Sequence, residues 1–210
     1  HLRNLRLQHA AGFAVQLENS NNSAVEQCIF ESIHFAISIK NSKYTKIKNN
    51  FIHQKGFWER YSADDIIGTY FEVSAIHIDG ETDSSGSEIH NNIILGTPFF
   101  INPSQSSYSI HDNIAAYSCF GVWGAPRLAN TATTQHSKIT IYNNIFHHMD
   151  LGLDISPYFR FRGKMYVYRN YFYFSTDNKW PAGEEELPLF TEYFYFYNNT
   201  IAFSGDGYME

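Results

Sequence analysis

Residues 47–52 read Ile-Lys-Asn-Asn-Phe-Ile, and this phrase returns along the chain with its apolar frame and its Asn retained. It recurs at residues 89–94 (IHNNII), 110–115 (IHDNIA), 141–146 (IYNNIF), 167–172 (VYRNYF) and 196–201 (FYNNTI). Residues 2–7 and 25–30 keep the apolar frame but lack an Asn at the fourth position. From one fourth position to the next, the steps are 23, 22, 42, 21, 31, 26 and 29 residues. The shortest steps define a repeat of 21–23 residues, and the longer steps indicate inserted loops.

A repeat of this length with period-2 apolar alternation predicts a strand-turn-strand coil, because it is too short for a pair of helices. The recurrent Asn has two physical reasons. Asn tolerates the left-handed backbone of a tight corner, and Asn side chains stacked from coil to coil can hydrogen-bond in a ladder. The alternative is a sandwich with unrelated hairpin turns, but Asn-Gly is the usual hairpin signature.

The repeat resembles that of the right-handed β-helix superfamily that includes pectin and pectate lyases, and the resemblance covers nearly the whole chain. We therefore expect an all-β, single-stranded right-handed parallel β-helix. It would span residues 1–210 as one domain of about eight coils, with Asn-rich corners and three long loop insertions. In the superfamily, the substrate cleft is formed by one strand of each coil and its flanking loops.

A second apolar triplet follows seven of the eight phrases, and its middle residue should face solvent because side chains alternate along a strand. In a parallel stack these middle residues form one column, defined here as Gln16, Ser38, His77, Phe100, Trp123, Asp154 and Pro188. The loops 54–73, 125–135 and 175–186 adjoin the same strands. Long loops in a compact repeat are usually functional, so we expect them to wall a trough above the column.

Phe100 and Trp123 are the predicted sugar-stacking residues, and the alternative is that a loop folds over and buries them. Asp154 is the predicted general acid or base, against the alternative of a hydrogen-bonded polar strand end. The full set of catalytic candidates is Asp154, His77, Asp79, His148 and Asp150. The substrate-binding candidates are Trp123, Phe100, Trp180, Arg60 and Asn102. His77 and Asp154 lie three coils apart, roughly 14 Å at ~4.8 Å per strand, too far to act on one bond.

Composition argues against several classes of partner. The formal charge of −6 comes without a basic patch, which argues against nucleic acid, and no apolar run is long enough for a membrane span.

Cys28 and Cys119 fall three coils apart, too far for a disulfide, and are expected to be buried thiols. No cofactor is expected, although Asp79, Glu81 and Asp83 alternate in a way that could bind Ca²⁺.

A glycoside hydrolase acting on a polysaccharide is the favoured function. A hydrolase needs a pair of carboxylates, and a glutamate of residues 184–186 could join Asp154. A polysaccharide lyase is less favoured, because the nearest cations to the column are Lys40 and Arg60. The other alternative is a non-catalytic glycan-binding or structural β-helix, such as an adhesin or a tailspike-like or surface-layer component.

The chain begins and ends in mid-repeat, so we expect a portion of a longer protein that is continued or capped by another domain or subunit. We expect this protein to be extracellular or on the cell surface.

Overall fold

The computed structural model describes residues 1–10, 12–33, 35–54, 74–78, 82–97, 99–101, 106–124, 138–155, 164–174 and 193–203. For strand residues 74, 99–101, 118–124, 149–155, 174, 193–194 and 203 it describes the backbone alone. Within these ranges the regular structure is entirely β-strand, and every strand pair is parallel. The fold class is therefore all-β, as the repeat predicts.

The first half of each Asn phrase forms one strand of an eight-stranded sheet. Its strands, in spatial order, are β1 (Leu2–Arg3), β4 (Ala24–Glu26), β7 (Lys46–Lys48), β10 (Ser87–His90), β13 (Tyr108–His111), β15 (Lys138–Tyr142), β17 (Lys164–Tyr168) and β19 (Tyr193–Tyr197). Neighbouring strands pair at equivalent phrase positions, for example Ile89 with Ile47 and Ile110. The sequence repeat is thus also the register of the sheet.

A second sheet is formed by the residues that follow the corner in each phrase and by the apolar triplets. The strands that follow the Asn corner are β2 (Arg6–Gln8), β5 (Ile29–Glu31), β8 (Phe51–His53), β11 (Ile93–Leu95), β14 (Ile114–Gly124), β16 (Ile145–Ile155), β18 (Tyr171–Phe174) and β20 (Thr200–Phe203). The triplet strands are β3 (Phe13–Glu18), β6 (Phe35–Lys40), β9 (Ser74–Ile78) and β12 (Phe99–Ile101). Strand β14 joins the two groups, because its first residues pair with β11 and its last residues pair with β12. Stacked parallel strands of this kind are consistent with a parallel β-helix.

The core is built from columns of one residue per strand that point into the space between the sheets. On the eight-stranded sheet the fully buried members of the column are Val25, Ile47, Ile89, Ile110, Ile141 and Val167. Facing it, the buried positions after the Asn corner are Phe30, Ile52, Ile94, Ala115, Phe146 and Phe172. The β-branched side chains suit strands that are buried on their inner face. Cys28 is a buried free thiol, as expected, whereas the side chain of Cys119 lies outside the described residues.

The Asn corner divides its two tasks between neighbouring residues. The third residue of each phrase has a left-handed backbone, with φ between 54° and 57°; these residues are Asn4, Gln27, Asn49, Asn91, Asp112, Asn143, Arg169 and Asn198. The fourth residue forms the ladder, in which Asn50, Asn92 and Asn113 bond successively through side-chain amides at 3.0 Å. The ladder continues through Asn144, Asn170 and Asn199. The prediction that one Asn does both is corrected: the ladder residue is buried, and its exposed predecessor makes the turn.

A second ladder, built from serines, was not predicted from the sequence. The hydroxyl oxygens of Ser42, Ser84 and Ser106 accept hydrogen bonds from the backbone N–H of Ser20, Ser42 and Ser84, at 3.0, 3.3 and 2.8 Å. All three hydroxyl-bearing residues are fully buried. Satisfying buried backbone donors in this way stabilises a corner, so two corners of the coil carry polar ladders.

Gly96 is expected to be intolerant of substitution. Its φ is +77°, and a Cβ at this position would lie 2.6 Å from the backbone carbonyl oxygen of Gln54. Because the contact is with backbone in the neighbouring strand connection, it cannot be relieved by a side-chain rotation. We expect Gly96→Ala to lower the free energy of unfolding by roughly 2–3 kcal/mol, measured by urea denaturation.

Gly12 supplies the matched control, since a Cβ there would meet no atom within 4 Å. Gly12→Ala should change the free energy of unfolding by less than about 0.5 kcal/mol, or raise it slightly. Equal losses in both variants would show that the tight approach at Gly96 is not what limits substitution.

Candidate functional site

The strand register aligns six of the seven residues of the predicted column. Gln16 pairs with Ser38, Ser38 with His77, and His77 with Phe100. Phe100 then pairs with Trp123, and Trp123 with Asp154. Six residues separated by up to 138 positions in sequence therefore occupy equivalent positions on successive strands. Pro188, the seventh residue of the predicted column, lies outside the described residues.

The exposure of the column differs from the prediction at its N-terminal end. Gln16 is exposed and His77 is half-buried, but Ser38 between them is only 3% exposed. The expectation that every middle residue faces open solvent is therefore wrong for Ser38. Alternation assigns a residue to a face of the strand, whereas burial depends on what packs over that face.

Two aromatic side chains beside the column were not predicted. The Phe13 and Phe35 rings pack together with centroids 4.7 Å apart, and the His77 ring lies 6.0 Å from Phe13 and 6.3 Å from Phe35. Phe13 is 40% exposed. Both phenylalanines stand two positions before the first residue of their triplets. An upstream extension of the triplet alignment would have found them.

Some of the other candidate residues have only their backbone described, and others lie outside the described residues. The backbones of Phe100, Trp123, Asp150 and Asp154 are described within β12, β14 and β16, without their side chains. The candidates Asp79, Trp180, Arg60 and Asn102 lie outside the described residues, as do the predicted loops 125–135 and 175–186 and all of the predicted loop 54–73 except Gln54. His77 and Asp154 are three strand steps apart, in agreement with the predicted separation.

His148 is brought together with its neighbour His147, at a bend of β16. The φ of His148 is 51°, and this left-handed residue interrupts the usual alternation of side chains along the strand. The Nδ1 atoms of the two histidines lie 2.5 Å apart, with ring planes at 62°. Asp154 follows six residues later on the same strand, roughly 20 Å if fully extended. The histidine pair and the backbone of Asp154 are therefore well separated along β16.

Tyrosine rings hold the histidine pair on two sides. Tyr173 stacks on His147 with centroids 4.5 Å apart, and Tyr117 stacks on His148 at 4.9 Å. Tyr173 also meets His148 edge-on at 5.3 Å. Burial, and secondly the charge of His148, lower the pKa of His147 below its ordinary value, which favours the neutral imidazole.

The outer face of the eight-stranded sheet carries a continuous aromatic stack. The rings of His90, His111, Tyr142, Tyr168 and Tyr197 follow one another at 4.7–5.1 Å with planes within 10°. Burial, and secondly the charge of His111, lower the pKa of His90. The ring faces are covered by neighbouring rings, so the stack exposes ring edges and hydroxyls rather than a platform for sugars. The signal was present in the sequence, because the second residue of these five phrases is always His or Tyr.

Two of the charged residues considered from the sequence, Lys40 and Asp83, are ion-paired. Lys40, one of the two cations considered for a lyase, lies 3.4 Å from Glu18 in an exposed ion pair. Asp83, the described member of the alternating carboxylates, lies 2.7 Å from Lys43 and accepts a hydrogen bond from the backbone N–H of Ser85. Burial acts to raise the pKa of Asp83, but the bonds from Lys43 and Ser85 outweigh it and the pKa is lowered.

The described part of the chain contains neither a cluster of three metal-ligating side chains nor a membrane-spanning helix. Those residues contain no group of three or more His, Cys, Asp and Glu side chains placed to hold a metal ion. Among the same residues there is no helix long and apolar enough to cross a membrane. Comparison of the chain with protein-family models, curated proteins and solved structures gives no match.

Proposed function

We propose that the chain is a right-handed parallel β-helix of about eight coils that binds a polysaccharide along the column and hydrolyses it there. The observation that carries the proposal is the register of Phe100, Trp123 and Asp154 on three adjacent strands. Side chains at equivalent positions of in-register parallel strands project from the same face. Two aromatic rings and a carboxylate would then follow one another at ~4.8 Å along the strand stack.

This spacing suits a chain of sugars. Aromatic side chains are apolar bodies that desolvate well, and the apolar faces of pyranose rings can lie against them. Phe13 and Phe35 extend the aromatic surface toward the N-terminal end, beside His77. The segments 55–73, 125–137 and 175–192 connect to strands at or next to the column, where inserted loops would bound a trough.

Asp154 is the carboxylate that we assign to the chemistry. A glycoside hydrolase positions two carboxyl groups about 5–5.5 Å apart for retention or roughly 6.5–9.5 Å apart for inversion. We assign the second carboxylate to the glutamates of residues 184–186. Hydrolysis is preferred to elimination because a lyase requires a base and cations at the uronate carboxylate, and the described residues of the column contain no Lys or Arg.

A non-catalytic glycan-binding β-helix is the second candidate. The described residues of the column contain no carboxylate besides Asp154. A binding protein needs the aromatic surface but no paired carboxylates. For either candidate we propose an extracellular or cell-surface location, where polysaccharides are accessible.

Asp154→Asn separates the two candidates. We expect turnover of the substrate found in a polysaccharide panel to fall by roughly 10²–10⁴-fold, because the amide cannot transfer a proton. Glycan affinity should change by less than about threefold, since Asn keeps the size and polarity of Asp. Reducing-sugar release measures turnover, and isothermal titration measures binding.

The control is Glu18→Gln, which removes an exposed carboxylate of β3 and leaves the column intact. It should match wild type in both assays. Equal turnover in wild type and Asp154→Asn would exclude a role for Asp154. Binding without turnover in either protein would support the second candidate, and an unsaturated product would indicate the lyase.

A further inference from the structure

We propose that His147 and His148 form a binding site for a divalent transition-metal ion, with the two Nδ1 atoms as ligands. The site is separate from the column and does not depend on the polysaccharide function. Its origin is the backbone: successive residues of a strand normally point to opposite faces, but the left-handed conformation of His148 turns its ring toward that of His147.

The two Nδ1 atoms converge, so that a small separation of the rings would let both bind one ion. They lie 2.5 Å apart in a short hydrogen-bonding contact. Two nitrogens at about 2.0–2.1 Å from one metal are roughly 2.9 Å apart in a cis square-planar site and about 3.3 Å apart in a tetrahedral one. Small ring rotations that separate the two Nδ1 atoms by a few tenths of an ångström would admit a tetragonal ion.

The surrounding tyrosines hold the imidazole rings by their faces. Tyr173 and Tyr117 each cover one imidazole face, at 4.5 and 4.9 Å. Stacking on a face restrains the plane of an imidazole without occupying the in-plane nitrogen. The metal ligands are therefore oriented before the ion arrives, which lowers the entropic cost of binding.

The donor set determines which ion is expected. Imidazole nitrogen suits Cu²⁺, Ni²⁺ and Zn²⁺, and affinities follow the order in which Cu²⁺ exceeds both Ni²⁺ and Zn²⁺. No third His, Cys, Asp or Glu side chain of the described residues joins the pair, so the two histidines supply two of the coordination positions. Such a two-nitrogen site binds reversibly and leaves coordination positions open for an exchangeable ligand.

The test is titration of the full chain with Ni²⁺ alone and then with Cu²⁺ alone, in a buffer that does not chelate. We expect one equivalent to bind at the pair, with Cu²⁺ tighter than Ni²⁺. Either His147→Gln or His148→Asn should weaken this binding by roughly tenfold or more. Asn is chosen at position 148 because it tolerates a positive φ. His53→Gln, which alters a single half-buried histidine of β8, should bind as wild type does.

Imidazole NMR of the wild-type protein gives a readout that does not require the variants to fold. Substoichiometric Ni²⁺ should broaden the ring signals of His147 and His148 first. His1→Gln removes the imidazole that pairs with Glu26 as a competing ligand and should leave this broadening unchanged. Broadening that begins at other histidines, or unaltered binding in both His147→Gln and His148→Asn, would overturn the proposal. Absence of saturable binding of either ion would also overturn it.

Discussion

Replacing Asn92 by alanine is expected to lower the free energy of unfolding by roughly 3–5 kcal/mol. The Asn92 side chain is 1% exposed and belongs to the middle of the ladder. Its Oδ1 accepts from the backbone N–H and the side-chain amide of Asn50, each at 3.0 Å. Its Nδ2 donates to the carbonyl oxygens of Ile47 and His90 and to Oδ1 of Asn113, at 2.9–3.1 Å.

Alanine would leave several of these partners buried without a hydrogen bond, and each such group costs ≈ 1–3 kcal/mol. Urea denaturation followed by circular dichroism measures the loss. The matched control is Asn91→Gly, one residue earlier in the same phrase. Asn91 is exposed and has φ of 55°, a conformation that glycine adopts readily, so stability should change by less than about 0.5 kcal/mol. A similar loss in both variants would mean that the phrase, rather than the ladder, sets stability.

Replacing Phe146 by alanine is expected to lower the free energy of unfolding by roughly 3–5 kcal/mol. Phe146 is fully buried, and its ring stacks on that of Phe172 with centroids 5.1 Å apart. Its column neighbour on the other side is Ala115, which is too small to fill the space that the ring would vacate. The surrounding strands are fixed by the sheet ladder, so the cavity would collapse only partly.

The control for Phe146 is the preceding residue, which faces the other way. Ile145 is 41% exposed, and Ile145→Thr keeps a β-branched side chain in the strand. Its stability should remain within about 0.5 kcal/mol of wild type. If Phe146→Ala were as mild as Ile145→Thr, the interior at this level of the stack would have to be loosely packed, contrary to the observed burial.

The two residues of the Asn pair illustrate how far sequence analysis reaches. The repeat predicted both a left-handed corner and a side-chain ladder, and both exist. The repeat could not assign the turn to one residue and the ladder to the other, because both members of the pair are Asn in most of the phrases that contain Asn. Arg169 and Asp112 mark the difference: they occupy the turn position without being Asn, while the ladder position retains Asn from Asn50 onward.

The sequence by itself determined the parallel strand stacks, the corners and the register that aligns Gln16 with Asp154, because a repeated apolar frame can bury its inner face in only one register. Only the tertiary structure decided the burial of Ser38, the packing of Phe13 and Phe35 beside His77, and the convergence of His147 and His148. The first two depend on lateral contacts between strands that are distant in sequence. The convergence of the two histidines depends on the φ of His148, and the alternation of apolar and polar residues in the sequence does not specify that angle.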